Sequence, residues 1–224
     1  MKYLLQWVLI LFLGICSSLY GFGGKVLNPS LQGGEKRFHE LKTYTLKDFN
    51  FAWDIHYFEV VTYEVNPTLT LKKENKFKPF MHAGNVRLDS KRKKELLWLS
   101  KAILKKSYFW KRRYPLLEDY SFTSLRFIDG SGRFKAIETL QDIREMLGDI
   151  DTEAELRLWI LASEQPYMVP YSYKKIGDLY RVRFQAVSYC HYEEFFRYYN
   201  KKGDVVKNRK IKKIDKKNCE EPVI

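Results

Sequence analysis

From Leu4 to Ile15 the chain is an apolar run of Leu, Ile, Val, Phe and Trp, broken only by Gln6 and Gly14. Met1-Lys2 sets a basic residue before it, and Ser17, Ser18, Gly21, Gly23 and Gly24 supply small residues after it. A bilayer span takes about 20 apolar residues, so this shorter run has the form of a secretory signal. Residues 1–24 are therefore predicted to be a signal peptide, cut after Ser18 or Gly23. The competing reading keeps Tyr3 to Tyr20 as an uncleaved anchor with Lys2 held inside. A lipoprotein anchored through Cys16 fits less well, because Ile15 is bulky where such sites need a small residue. Either main reading puts the rest of the chain outside the cytoplasm, with membrane contact only through residues 1–24 if they are retained.

Gly21 to Gly34 is rich in Gly, Asn and Pro and reads as a flexible lead-in. From Tyr44 the pattern turns strand-like. Phe49, Phe51, Trp53, Ile55 and Tyr57 alternate with other residues, and Val60 to Val65 is β-branched and aromatic. Strands are predicted over about Tyr44 to Leu71 with a turn at Asn66-Pro67, followed by a charged, exposed stretch from Lys72 to Pro79. Asp89 to Trp110 is predicted to be one long basic helix. Asp89 or Ser90 can cap it, and Leu96, Leu99, Ile103 and Leu104 recur at helical spacing. That spacing leaves Lys93, Lys94, Lys101 and Lys105 in water, and Trp98, Tyr108 and Trp110 are read as core aromatics.

Arg112-Arg113-Tyr114-Pro115 marks a soft boundary between segments 25–115 and 116–224, which either share one core or form two lobes. Ser121 to Ile128 alternates as a strand, and Asp129-Gly130-Ser131-Gly132 reads as a hairpin turn. A short helix is predicted from Ile137 to Leu147, stopped by Gly148. A second starts at Thr152, where Glu155 completes a capping box, and ends before Pro166. Beyond a turn at Lys174 to Asp178, strands over Leu179–Tyr189, Tyr192–Tyr199 and Val205–Ile214 form a meander whose last hairpin turns at Lys201 to Asp204. The fold class is α+β: an antiparallel sheet or meander with one long basic helix and two short ones.

Cys16 lies in the leader, which leaves Cys190 and Cys219. In an exported protein that pair reads as a disulfide. The meander supports it, because residues near Cys190 should face residues near Asp215. The formal charge is +13 and is unevenly spread. Arg87 to Arg113 holds eleven Lys/Arg against Asp89 and Glu95, and Lys201 to Cys219 holds nine against Asp204 and Asp215. Ala136 to Pro166 instead carries eight acidic residues against Arg144 and Arg157. The acidic groups sit near helix starts, where the dipole favours them, so much of that segment reads as structural.

Ser124-Leu125-Arg126-Phe127-Ile128-Asp129-Gly130, then Ile150-Asp151-Thr152 with Glu155, then a strand pair bearing Cys190, resembles a C-terminal domain of exported bacterial proteins of unknown function. The resemblance covers roughly Tyr120 to Cys219, with Leu156 standing where the family form has alanine. It implies an extracytoplasmic α+β module with a disulfide, and it carries over no site residues.

Catalytic chemistry finds little footing. The histidines are His39, His56, His82 and His191. Asp54 with His56, and His191 with Glu193, have the alternation of a two-strand metal site, but nothing supplies the remaining ligands, so they read as surface or interface residues. No serine sits in a nucleophile elbow, and Asp149 with Asp151, or Glu193 with Glu194, are not set across a cleft. No catalytic residue, metal or cofactor is assigned. Basic clusters without chemistry point to a non-enzymatic exported protein that binds an anionic macromolecule or a protein partner. The candidate contacts are Lys93, Lys94, Lys101, Lys105, Lys207, Arg209, Lys210 and Lys212. Nucleic acid is disfavoured as the partner, since export removes the chain from it. The competing readings are an envelope hydrolase or ligand-binding protein with an aromatic pocket, a structural accessory protein, and basic faces that serve only solubility.

Overall fold

A computed structural model describes residues 30–65, 81–84, 89–95, 98, 111–113, 120–164, 168–187 and 191–215. The predicted signal or anchor, the turn at Asn66-Pro67 with the strand beyond it, and both Cys190 and Cys219 lie outside the described residues. From Gly34 onward the chain is one unit, and its described part is α+β with strand predominating. No described helix is long and apolar enough to cross a membrane.

Sheet A is the predicted meander. Strands β7 (Met168–Ile176), β8 (Leu179–Val187), β9 (His191–Tyr199) and β10 (Val205–Asp215) follow one another antiparallel, and β1 (Lys36–Arg37) closes the opposite edge against β7. β7 was not expected: the predicted turn at Lys174 to Asp178 is confined to Gly177-Asp178, and Lys174 to Ile176 belong to the strand; Pro170 within it cannot donate to a ladder. A register shift between Pro170 and Ser172 absorbs the proline. In sheet B, β2 (Ile55–Val65) lies between β3 (Met81–Ala83) and β5 (Tyr120–Asp129). β4 (Lys111–Arg113) and β6 (Phe134–Ala136) pair with successive parts of β5 on its other side. The β5–β6 turn is the predicted one: the Asp129 carboxylate accepts from the amides of Ser131 and Arg133, both at 3.0 Å. Hydrogen bonding to Ser131, then to Lys135, holds that carboxyl below its ordinary value.

Two helices join the sheets in sequence. α1 (Leu140–Leu147) starts later than the apolar spacing suggests, because the Ile137 amide is taken by the Leu125 carbonyl (2.9 Å) as β6 ends. Thr139 caps it in a capping box with Asp142, and Gly148 follows at φ 66°. α2 (Glu153–Ser163) has the predicted cap: Thr152 accepts from the Glu155 amide, and Glu155 reaches back to the Thr152 amide. Seven of its residues are buried and none is exposed. A helix apolar on nearly every side belongs in a core. One hydrophobic cluster takes in Leu156, Leu158 and Ile160 of α2, Phe58, Val60, Leu125 and Phe127 of sheet B, and Tyr180, Val182, Phe184 and Tyr199 of sheet A. Segments 25–115 and 116–224 thus contribute to the same core, and the β2–β5 ladder crosses from one to the other.

The alternation from Phe49 to Trp53 does not make a strand. Two 3-10 turns, Leu41–Thr43 and Leu46–Asp48, precede it, and regular pairing begins at Ile55. Phe49 and Phe51 stack at 4.8 Å, and both meet Phe58 edge-on. Their period-2 spacing serves aromatic packing over β2 instead of a ladder. Of the stretch predicted as one long basic helix, only residues 89–95 and 98 are described: 90–95 and 98 are helical, and Asp89 caps the start by accepting from the Arg92 amide at 2.8 Å. Leu96, Leu99, Lys101, Ile103, Leu104, Lys105, Tyr108 and Trp110 lie outside the described residues. Trp98, expected in the core, is 66% exposed; an aromatic within a helical pattern carries no mark of which side it faces.

The tip of the β9–β10 hairpin is fixed to α2. The Trp159 indole donates to the Gly203 carbonyl at 2.8 Å, and the Ile150 amide donates to the Lys201 carbonyl at 2.7 Å. Gly203 has φ 82°, and a Cβ there would stand 2.6 Å from the indole. Gly203→Ala therefore combines about 1–3 kcal/mol of overpacking with about 1 kcal/mol for a side chain at positive φ. The expected result is a lower urea midpoint with an unchanged m-value, checked by equilibrium unfolding.

Candidate functional site

Among the described residues β10 ends sheet A, and all eleven of its residues are exposed. Its sequence, Val-Val-Lys-Asn-Arg-Lys-Ile-Lys-Lys-Ile-Asp, offers too little apolar side chain to either face to be buried, and among the described residues its strand partner is β9. Residues opposite one another in an antiparallel pair share a face, so the register sorts the predicted contacts. Lys207 lies opposite Tyr198, Arg209 opposite Phe196 and Lys212 opposite Glu194, on one face; Lys210 lies opposite Phe195, on the other. Lys93 and Lys94, at the helix start after Asp89, are exposed too.

The two faces differ in how far their cations are neutralised. Lys210 meets Glu193 at 2.7 Å and Lys213 meets Asp215 at 2.9 Å, so these two are paired. Lys207 lies 5.7 Å from the centre of the Tyr198 ring. Among the described residues, Lys207, Arg209 and Lys212 meet no carboxylate. Three of the four β10 contacts predicted from sequence thus form one unneutralised group, while Lys210 stands apart.

Behind that group the same face continues as cross-strand rows. Lys174, Arg181, Tyr198 and Lys207 form one, and Arg37, Ser172, Arg183, Phe196 and Arg209 form the next. The centre of this face is polar yet buried: Ser172, Arg183, Gln185 and Glu194 all have exposures of 5% or less. Glu35 holds it together, meeting Arg181 at 3.0 Å and Arg183 at 3.5 Å and accepting from the Ser172 hydroxyl at 3.2 Å, while Arg183 also pairs with Glu194. Arg181 lies over the Phe196 ring at 4.4 Å. A buried charge must find an opposite charge, and removing one partner costs about 3–5 kcal/mol. Here two arginines and two glutamates pair with one another, so the positive character of the face lies at its edges, in Arg37 and Lys174 on one side and in β10 on the other. Sequence alternation finds Arg181 and Arg183 on one face but gives no sign of Glu35, because that contact is far apart along the chain.

A second polar cluster gathers at the start of α2. Glu153 accepts from the His39 amide (2.7 Å), the His39 ring (3.0 Å), the Tyr44 hydroxyl (2.7 Å) and the Tyr173 hydroxyl (2.9 Å). Burial pushes the Glu153 carboxyl up, but the donors from His39, Tyr44 and Tyr173 outweigh it, so it sits below its ordinary value. Burial raises both phenols, and the bonded carboxylate adds to that. One turn on, Arg157 lies 5.2 Å from the Phe38 ring. The cluster ties residues 38–44 to α2 and to β7. A third such cluster pairs Glu59 with Arg126 across β2 and β5, with Tyr57 donating to Glu59 at 2.8 Å.

Asp54 and His56 do come together, at 3.3 Å and in the open. His191 and Glu193 lie on β9 in the other sheet, so the two pairs imagined as one metal site belong to different sheets. Among the described residues no three acidic, histidine or cysteine groups converge as metal ligands. The acidic pairs serve structure: Asp149 pairs with Lys202, and Asp151 meets Lys201 at 3.3 Å, which joins the negative helical segment to the basic hairpin tip.

A carboxyl whose pKa is lower folded than unfolded stabilises above its unfolded pKa and loses that contribution as pH falls through the folded value. For Glu153 the loss begins below the ordinary value of 4.5. Glu153→Gln is expected to cost about 1–3 kcal/mol at pH 7, by weakening hydrogen bonds to a charged acceptor. Thermal melts of both proteins from pH 7 to pH 3 should show the gap between them closing below about pH 4.5.

No protein-family model matches this sequence, and no curated protein and no solved structure matches it either.

Proposed function

We propose that this protein is an exported, non-enzymatic binding module, periplasmic or secreted, that contacts an anionic macromolecule or protein partner through the basic strand β10. The observation that carries the reading is an eleven-residue strand, exposed throughout and at the edge of sheet A among the described residues, with Lys207, Arg209 and Lys212 on one face; among the described residues none of the three is in an ion pair, and Glu194, opposite Lys212, pairs with Arg183 instead. Unneutralised cations on an ordered strand attract a negative surface over about a Debye length, roughly 8–10 Å at physiological salt. The helix that begins after Asp89 is the second contact in this reading. It is taken to run on to Trp110, so that Lys101 and Lys105 join the exposed Lys93 and Lys94.

The export reading rests on residues 1–24, whose basic start, apolar run and small residues fit a signal peptide. A Cys190–Cys219 disulfide belongs to the same reading. The pairing of Asp215 with His191 supports it, since it brings the end of β10 beside the residue that follows Cys190. Such a bond would staple the free end of the strand that carries the cations.

Two measurements test this. Lys207→Glu, Arg209→Glu and Lys212→Glu combined should elute from a sulfated-polysaccharide column at clearly lower salt than a control with the same charge change at the exposed Lys36, Lys47 and Lys175. Equal elution would mean that net charge alone binds, and the role of β10 would be lost. Intact-mass analysis of protein from its host's envelope and medium should give a chain starting between Leu19 and Lys25, with thiols labelled only after reduction. An uncleaved chain with freely labelled thiols would remove both the cleaved signal and the disulfide.

A further inference from the structure

We infer that the open edge of β10 accepts an extended acidic segment of a partner protein as an added antiparallel strand of sheet A. This rests on the reading of β10 as the contact surface and names the chemistry of its partner. Among the described residues no strand lies on the far side of β10. An edge strand leaves a row of backbone N–H and C=O groups without ladder partners, and strand addition satisfies them while side chains at alternate positions set the specificity.

The side chains choose among occupants. A second copy of β10, paired antiparallel, would set Lys207, Arg209, Lys210, Lys212 and Lys213 against an equally basic strand, and like charges placed opposite one another destabilise a ladder. The same residues that keep copies apart favour a strand bearing Glu or Asp. Two register shifts bound the usable stretch. Between Val205 and Lys207, and between Lys210 and Lys212, β10 has an extra residue relative to β9, so Val206 and Ile211 bracket a regular run from Lys207 to Lys210. A bulge bends the strand and disrupts a ladder locally, so the docked segment is short. Its acidic residues fall opposite Lys207 and Arg209, on the face whose own carboxylates, Glu35 and Glu194, are already paired with Arg181 and Arg183. Val206 and Ile211, 51% and 38% exposed, offer apolar contact at the two ends.

The test uses the full chain and a short fluorescent peptide alternating glutamate with valine, beside the same peptide methylated on alternate backbone nitrogens. Methylation keeps the charge and removes the ladder donors. The unmodified peptide is expected to bind at least about tenfold more tightly, and amide exchange across Val205 to Asp215 should slow only in its presence. Equal binding of the two peptides would overturn strand addition while leaving an anion-binding β10 in place. Failure of both peptides, together with failure of the sulfated column to discriminate the β10 variant, would overturn both readings. Self-association of the chain through β10 in the absence of peptide would make a second copy the occupant and overturn the acidic-segment assignment.

Discussion

The burial of α2 on nearly every side is the constraint on which the rest of the structure depends. A helix so placed must have its unpaired end groups satisfied by protein, because little water reaches them. Glu155, fully buried, accepts from the amides of Asn50, Asp151 and Thr152 at one end. Glu164, just past the other end, takes bonds from Arg197 and Tyr199 of β9. These two carboxylates fasten α2 to the aromatic segment before β2 and to sheet A. Glu153 adds a third attachment, to β7 and to residues 39–44.

Both sheets place charged side chains on the face away from the shared cluster, and where that face is buried the charges are paired instead of solvated. Arg126 with Glu59 does this in sheet B, and Arg181 and Arg183 with Glu35 and Glu194 do so in sheet A. Buried pairs of this kind add little net stability over an apolar packing, yet breaking one leaves a lone charge in a poor solvent. Their effect is to set register: a slip by one residue would carry every one of these groups to the wrong face.

Much of this was legible in the sequence, and the parts that were not share a cause. Thr152 with Glu155, the stop at Gly148, the turn at Asp129 and the hairpin at Lys201 to Asp204 are local signals, each fixed by a few neighbouring residues, and the structure has them where the spacing puts them. The meander from Leu179 onward is equally plain from its alternation. Phe49 to Trp53 misled because aromatic packing over β2 needs the same period as a strand. β7 was missed because the lysines and glycine of Lys174 to Asp178 have the composition of a longer turn, while the strand's own proline is tolerated at a bulge. Of the candidate contacts, the cationic character of β10 was evident, but the split between Lys210 and the group Lys207, Arg209 and Lys212 was not. That split depends on which β9 residue lies opposite, a fact of register that spacing along one strand does not contain.

The anchored tip of the last hairpin has a mechanical meaning for the strand beyond it. Trp159 over Gly203, together with the ion pairs at Lys201 and Lys202, ties the turn that leads into β10 to α2 and to the residues just before it. The cations that follow are therefore held on an ordered strand, with Lys207 to Lys210 in regular register, before anything binds. Any molecule that meets them finds a preset template, and the entropy lost on association comes chiefly from the visitor and little from the host.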